Sequence, residues 1–119
     1  MKFMIRSDVE GVTGVTTYQQ AEGSEFGRAM LANDLNAAIE DLLSTDDHEI
    51  VIYDEHTDGR NIALEGLPEG VSVICDKLLY RSDWGGIDSS YDAMIMVGFH
   101  ARSADPSRIW AMNCKVFLE

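Results

Sequence analysis

Two of the short stretches that are apolar at every position constrain the fold more than any other feature of the chain. Residues 50–53 and 93–97 contain no charged side chain, and each stretch runs into a polar loop. Strands that are buried on both faces of a parallel sheet have this composition, whereas strands with one face in water alternate apolar and polar residues. Residues 3–5, 71–75 and 109–118 are predicted to form further strands of the same sheet.

A helix is predicted from about residue 24 to residue 44, between the strands at residues 3–5 and 50–53. Leu31, Leu35 and Ile39 recur at four-residue steps with polar residues between them, and Ser24 stands where a helix cap is expected. The pattern predicts an α/β fold with a mostly parallel central sheet flanked by helices. Residues 1–119 are expected to form a single α/β metal-binding domain or the amino-terminal part of a longer one.

The charge of the chain excludes several classes of partner. Nine basic residues against 21 acidic ones give a formal net charge of −12, which disfavours nucleic acid and anionic membrane surfaces. No apolar run approaches the roughly 20 residues that span a bilayer, and none at the amino terminus resembles a signal-peptide core. Cys75 and Cys114 lack CxxC spacing and are expected to be buried reduced thiols, which predicts a cytoplasmic location.

Four chemically active side chains follow three separate predicted strands. Asp8 and Glu10 come after the first strand, His56 after the second and His100 after the fourth. If the strands are parallel, these side chains converge at one edge of the sheet, where α/β folds bind ligands. Two carboxylates and two imidazoles suit zinc, with manganese, cobalt and iron as competitors. His48 precedes its strand and is expected at the opposite edge.

Other interpretations of these residues stay open from the sequence alone. Asp54 could orient the imidazole of His56 as a supporting carboxylate, or the two could form an ordinary loop ion pair. Arg102 could contact a substrate carboxylate or a developing oxyanion, or it could pair with Asp105. The acidic pair itself could be a solvated loop.

The motifs DVEGVTG at residues 8–14, DEH at 54–56 and GFHAR at 98–102 resemble those of zinc-dependent D-aminopeptidases of the dipeptide-transport operon type. The resemblance runs from the first residue to about residue 106, the amino-terminal part of that family only. It implies an aminopeptidase that releases amino-terminal D-residues from short peptides, and a homo-oligomer, decameric in the family. It also implies two zinc ions, with Asp8 bridging them, Glu10 and His56 completing one site and His100 serving the other.

The chain departs from the family pattern in two places. The family's catalytic histidine corresponds to Ala111, so no catalytic residue is assigned. The family's last zinc ligand, a glutamate, would lie beyond the chain, and Glu119 could replace it only after a deletion. A non-catalytic or truncated relative that keeps half of the metal site and the oligomeric fold is therefore the alternative. A less favoured one is a magnesium phosphatase with Asp8 as nucleophile, which leaves His56 and His100 without a role.

Overall fold

A computed structural model describes residues 1–75 and 86–101, together with the backbone of a strand at 115–117. These residues form five strands and two helices, and the strands predicted at 50–53, 71–75 and 93–97 are confirmed to within a residue or so at each end. In chain order the elements are β1 Lys2–Ser7, α1 Tyr18–Ala21, α2 Glu25–Leu43, β2 Glu49–Asp54, β3 Val71–Ile74, β4 Ala93–Val97 and β5 Lys115–Phe117.

The strands make one sheet in the order β3-β2-β1-β4-β5. β1 pairs in parallel with both β2 and β4, β2 pairs in parallel with β3, and β5 alone among these strands runs antiparallel. The predicted mostly parallel α/β fold is therefore confirmed. Ser7 lies opposite Asp54 on one side and Val97 on the other, so β1, β2 and β4 end level with one another.

Helix α2 supplies the main cover of one face of the sheet. Its start is capped by Ser24, whose hydroxyl accepts a hydrogen bond of 2.9 Å from the backbone N–H of Gly27. Leu31, Leu35 and Ile39 are fully buried in one cluster with apolar side chains of β1, β2 and β4. Burying each such side chain is worth roughly 1.5–3 kcal/mol relative to leaving it in water, so the predicted stripe is the core of the fold.

Helix α1 was not predicted, although a local signal for it exists. Thr17 and Gln20 form a capping box, in which the Thr17 side chain accepts from the Gln20 backbone and the Gln20 side chain accepts from the Thr17 backbone. A helix of four residues is too short to show an apolar period, which is why the pattern alone misses it. Its carboxyl end leads directly to Glu22.

The prediction of buried thiols is wrong for Cys75, which is exposed. Cys75 follows the last residue of β3, which is an outer strand of the described sheet, so no further strand covers it there. Cys114 lies outside the described residues. Among the helices that the structure describes, none has the length and apolar composition required to cross a membrane.

Candidate metal centre

The predicted site residues lie at the carboxyl ends of β1 and its two neighbouring strands, where the order of the strands along the sheet reverses. β1 has β2 on one side and β4 on the other, and the carboxyl ends of all three strands are level. Asp8 follows β1 directly, His56 follows β2 by two residues and His100 follows β4 by three. Open α/β sheets bind ligands in the crevice at such a switch point. The sheet therefore brings together residues that the sequence separates widely.

Asp8 and Glu10 stand between the two imidazoles. Nδ1 of His56 lies 2.9 Å from Oδ1 of Asp8 and 2.9 Å from Oε2 of Glu10. Nε2 of His100 lies 3.7 Å from Oδ2 of Asp8 and 4.0 Å from Oε1 of Glu10. Each histidine thus faces a different oxygen of each carboxylate. One ligand atom each from Asp8, Glu10 and His100 lie within 4.8 Å of one another.

Exposure differs strongly between the two histidines. The His56 side chain is 3% exposed, whereas that of His100 is 37% exposed. Asp8 and Glu10 are intermediate, at 14% and 17%. The cluster is therefore closed behind His56 and open beside His100, and a ligand that enters among the described residues would approach from the His100 side.

The charges of the cluster shift three pKa values. Burial pushes the pKa of Asp8 upward, but hydrogen bonds with His56 and Glu10 outweigh burial and leave it below its usual value. Burial raises the pKa of Glu10, and the neighbouring Asp8 raises it further. Burial lowers the pKa of His56, yet its hydrogen bond to Asp8 and the charge of Glu10 more than offset this, so the pKa is raised. The two adjacent carboxylates thus stabilise the protonated form of the His56 imidazole.

The unsatisfied atoms of the cluster fit a cation. Nδ1 of His56 can carry one proton, and its hydrogen bond goes to Asp8. Oε2 of Glu10 is consequently buried without a hydrogen-bond donor among the described residues, despite its closeness to the same nitrogen. A buried carboxylate oxygen without a donor is costly, and a metal ion would satisfy it. Carboxylate oxygens together with imidazole nitrogens are a donor set that zinc accepts.

Glycines hold the loops after β1 and β4 in backbone contact. The N–H of Gly11 donates to the carbonyl of Gly98 at 2.7 Å, and the N–H of Asp8 donates to the carbonyl of Val97 at 2.9 Å. Gly98 has a φ of 74°, and a Cβ there would lie 2.0 Å from the carbonyl oxygen of Asp8. Only glycine permits this approach, which sets the separation of His100 from Asp8.

The loop that carries His56 is organised by a buried pair, Asp54 and Asn61. Asp54 is fully buried and accepts hydrogen bonds from the backbone N–H groups of His56, at 3.3 Å, and Asn61, at 2.6 Å. The Asn61 amide also donates to the carbonyl of His56 at 2.7 Å. The described contacts of Asp54 thus support the backbone at His56 rather than its ring, where the sequence suggested a partner for the imidazole. Asn61 was missed, because a polar loop residue carries no periodic signal.

The remaining candidate residues are distributed as follows. His48 lies just before β2, at the opposite end of the strand from the site, as predicted, and contacts the amino terminus and Thr45. Glu22 was missed, although its Oε1 atom lies 4.0 Å from Nε2 of His56. Arg102, Ala111 and Glu119 lie outside the described residues.

Comparison with known proteins identifies the family. A curated D-aminopeptidase of Bacillus subtilis is 24% identical over 110 residues, which are 89% of this chain and 40% of that protein. A solved structure titled "Zn-dependent D-aminopeptidase DppA from Bacillus subtilis, a self-compartmentalizing protease" shares the fold, with a TM-score of 0.80, 24% identity and the same coverage of 89% and 40%. The chain thus spans about 40% of the length of these relatives. The family described as D-aminopeptidase matches residues 1–111, and this chain therefore belongs to the D-aminopeptidase family.

Proposed function

We propose that this chain carries the zinc site of an aminopeptidase that releases amino-terminal D-residues from short peptides. The observation that carries the proposal is the placement of Asp8 and Glu10 between His56 and His100 at the switch point of the sheet. Membership of the D-aminopeptidase family supports the peptidase class, and the zinc dependence named for the structural relative supports the metal. The phosphatase alternative gains no support from these findings.

The proposed site is binuclear, and the four residues divide between two ions. Asp8 presents one oxygen toward His56 and the other toward His100, which suits a bridging carboxylate. Glu10 and His56 would complete one ion, and His100 would serve the other. The buried Oε2 of Glu10 and the closed surroundings of His56 favour a tightly held first ion. The exposed His100 favours a more accessible second one.

The chain's own residues would act by charge and position. When bound, zinc lowers the pKa of water and polarises a carbonyl group, which is the chemistry that peptide hydrolysis requires. Asp8 and Glu10 supply the negative charge that balances the ions, while the histidines must present neutral nitrogens. The opening beside His100 would admit the substrate. Arg102 remains the proposed contact for a substrate carboxylate or an oxyanion.

We also propose an assembly state and a location for this protein. The structural relative is titled a self-compartmentalizing protease, and we propose a homo-oligomer for this protein as well. A net charge of −12 supports neither a nucleic-acid nor a membrane partner. A short peptide in the cytoplasm is the proposed substrate.

Two measurements on the 119-residue chain test the proposal. Elemental analysis of untagged protein after zinc dialysis should find one or two ions per chain, and none in the variant His56→Ala/His100→Ala. Release of D-alanine from short D-alanyl peptides should depend on zinc and should exceed release from the L-isomers. The variant His48→Ala is the matched control and should behave as the wild type. Absence of bound zinc would refute the site, and zinc binding without hydrolysis would establish the non-catalytic alternative.

A further inference from the structure

The outer nitrogen of His56 lacks a partner in the described part of the chain. Nε2 is buried and makes no hydrogen bond there, while Nδ1 of the same ring faces Asp8 and Glu10. Oε1 of Glu22 lies 4.0 Å from Nε2. A buried ring nitrogen that cannot reach water needs a hydrogen-bond partner, so this arrangement calls for one.

The orientation of the ring makes the missing partner important. If Nδ1 of His56 gives its lone pair to a metal ion, the ring proton must reside on Nε2. Histidines that bind metals donate that proton to a carboxylate, a carbonyl or water, and the acceptor holds both the tautomer and the ring orientation. Asp54 does not fill this role in the described contacts, because its oxygens accept from the backbone of His56 and from Asn61.

Glu22 is positioned to be the acceptor. It caps the carboxyl end of α1, whose start is fastened by the capping box of Thr17 and Gln20. Tyr18 lies one turn earlier on α1, and the neighbouring Glu22 carboxylate raises the pKa of its phenol. At 4.0 Å the Glu22 oxygen is too far for a direct hydrogen bond, and a shift of about 1 Å at the end of its side chain brings it into range. The Glu22 side chain is 40% exposed, which leaves room for that shift.

We infer that Glu22 is a positioning residue that accepts the Nε2 proton of His56 and directs the Nδ1 lone pair into the metal centre. This inference rests on the proposed metal site, to which it adds Glu22 and the tautomer of His56 that is protonated at Nε2. Glu22 acts through His56, because its carboxylate faces Nε2 of the ring whereas Asp8 and Glu10 face Nδ1.

Zinc affinity is the first test, measured on the full chain by competition with a chromophoric chelator. Glu22→Ala should weaken zinc binding about 10–100-fold, the range typical for loss of an outer hydrogen-bond partner of a ligand. Glu22→Gln keeps a carbonyl oxygen that can accept the proton, so it should restore part of the affinity. Glu25→Gln is the matched control, because Glu25 is an exposed glutamate at the start of α2, and it should leave the affinity unchanged.

Nitrogen-15 spectra of the imidazoles in the zinc-loaded chain report which nitrogen of His56 carries the proton and how fast that proton exchanges. A merely structural role of Glu22 would leave both unchanged. The wild type should show His56 with a protonated Nε2 whose proton exchanges slowly with water. In Glu22→Ala that proton should exchange fast, while the spectrum of the backbone remains that of the folded protein. A wild-type His56 protonated at Nδ1, or a Glu22→Ala variant with unchanged affinity and unchanged exchange, would overturn the inference and leave the metal site standing. A wild type that binds no zinc would overturn both.

Discussion

Nδ1 of His56 hydrogen-bonds Oδ1 of Asp8 at 2.9 Å, although 48 positions separate the two residues in the sequence. The contact exists because β1 and β2 are parallel neighbours whose last residues, Ser7 and Asp54, lie side by side. Each side chain follows the end of its own strand by one or two residues. The proposed metal site therefore depends on the register of the two strands.

Removal of both histidines should abolish metal binding without unfolding the chain. The double variant His56→Ala/His100→Ala removes the two nitrogen ligands that flank the acidic pair. Zinc affinity should therefore fall further than on loss of a residue that only hydrogen-bonds a ligand, which typically costs about 10–100-fold. Chelator competition measures the loss, and circular dichroism verifies that the sheet remains. His48→Ala serves as the control. Retained affinity in the double variant would place the metal elsewhere.

Asp8 and Glu10 should differ in the number of ions that they control. Each oxygen of Asp8 faces a different histidine, so Asp8→Ala should remove both ions, whereas Glu10→Ala or His100→Ala should mainly weaken one. Zinc titration followed by calorimetry gives the stoichiometry of each variant. An Asp8→Ala chain with wild-type stoichiometry would rule out the bridging role.

The stability of the metal-free protein should depend on His56 in a defined pH window. Its hydrogen bond with Asp8 and the charge of Glu10 outweigh burial and raise its pKa in the folded chain. The stabilisation is therefore fully present below the unfolded-state pKa of about 6.5 and is lost as the pH rises through the folded-state value. Urea unfolding at several pH values should show that the free energy of unfolding of the wild type exceeds that of His56→Gln at low pH, and that this difference shrinks as the pH increases. A constant difference between the two proteins would contradict the raised pKa.

Zinc affinity should change with pH in the opposite direction. A metal ion needs the neutral ring, and the raised pKa of His56 means that protons compete at a pH higher than for an ordinary histidine. Binding should therefore weaken as the pH falls through that value. Calorimetric titrations in buffers with different ionisation enthalpies should also detect protons released on binding. Affinity that stays constant from alkaline to mildly acidic pH would argue against histidine ligands.

Gly98→Ala should damage the metal site through the backbone. The new methyl group would lie 2.0 Å from the carbonyl oxygen of Asp8, in addition to the cost of a φ of 74°. Gly70→Ala is the matched control, because Gly70 has a φ of 88° and open space around it. The control should lose about 1–2 kcal/mol of unfolding free energy, and Gly98→Ala about 1–3 kcal/mol more, together with zinc affinity. Equal losses in the two variants would show that the close approach is unimportant.

Catalysis by the 119-residue chain should be slow, because Ala111 stands where the family resemblance places a catalytic histidine. We expect turnover of D-alanyl peptides below about 1 s⁻¹, a low value for an enzyme. Ala111→His should raise the rate by about 10²–10⁴-fold, the contribution typical of a positioned acid or base. Ala111→Gln is the control for added bulk. A fast wild-type chain would mean that another residue moves the proton.

Local patterns predicted helix α2 and the parallel strands of the fold, although they missed the four-residue helix α1. The four-residue recurrence of Leu31, Leu35 and Ile39 predicted α2, because a helix that packs on a sheet must bury one stripe. Apolar runs likewise predicted the central strands, since burial on both faces excludes polar residues. The same parallel order then predicted that Asp8, His56 and His100 share one edge.

The contacts within that edge were decided by the tertiary structure. Strand register and the approach of Gly98 to Asp8 determine which oxygens face which nitrogen, and neither is encoded within one segment. The tertiary structure also decides that Asp54 accepts a hydrogen bond from Asn61 instead of contacting the ring of His56. It likewise places Glu22, at the end of the four-residue helix α1, near that ring. Periodicity arises from burial along one element and can be read from the sequence, whereas hydrogen-bond partners depend on distances between elements.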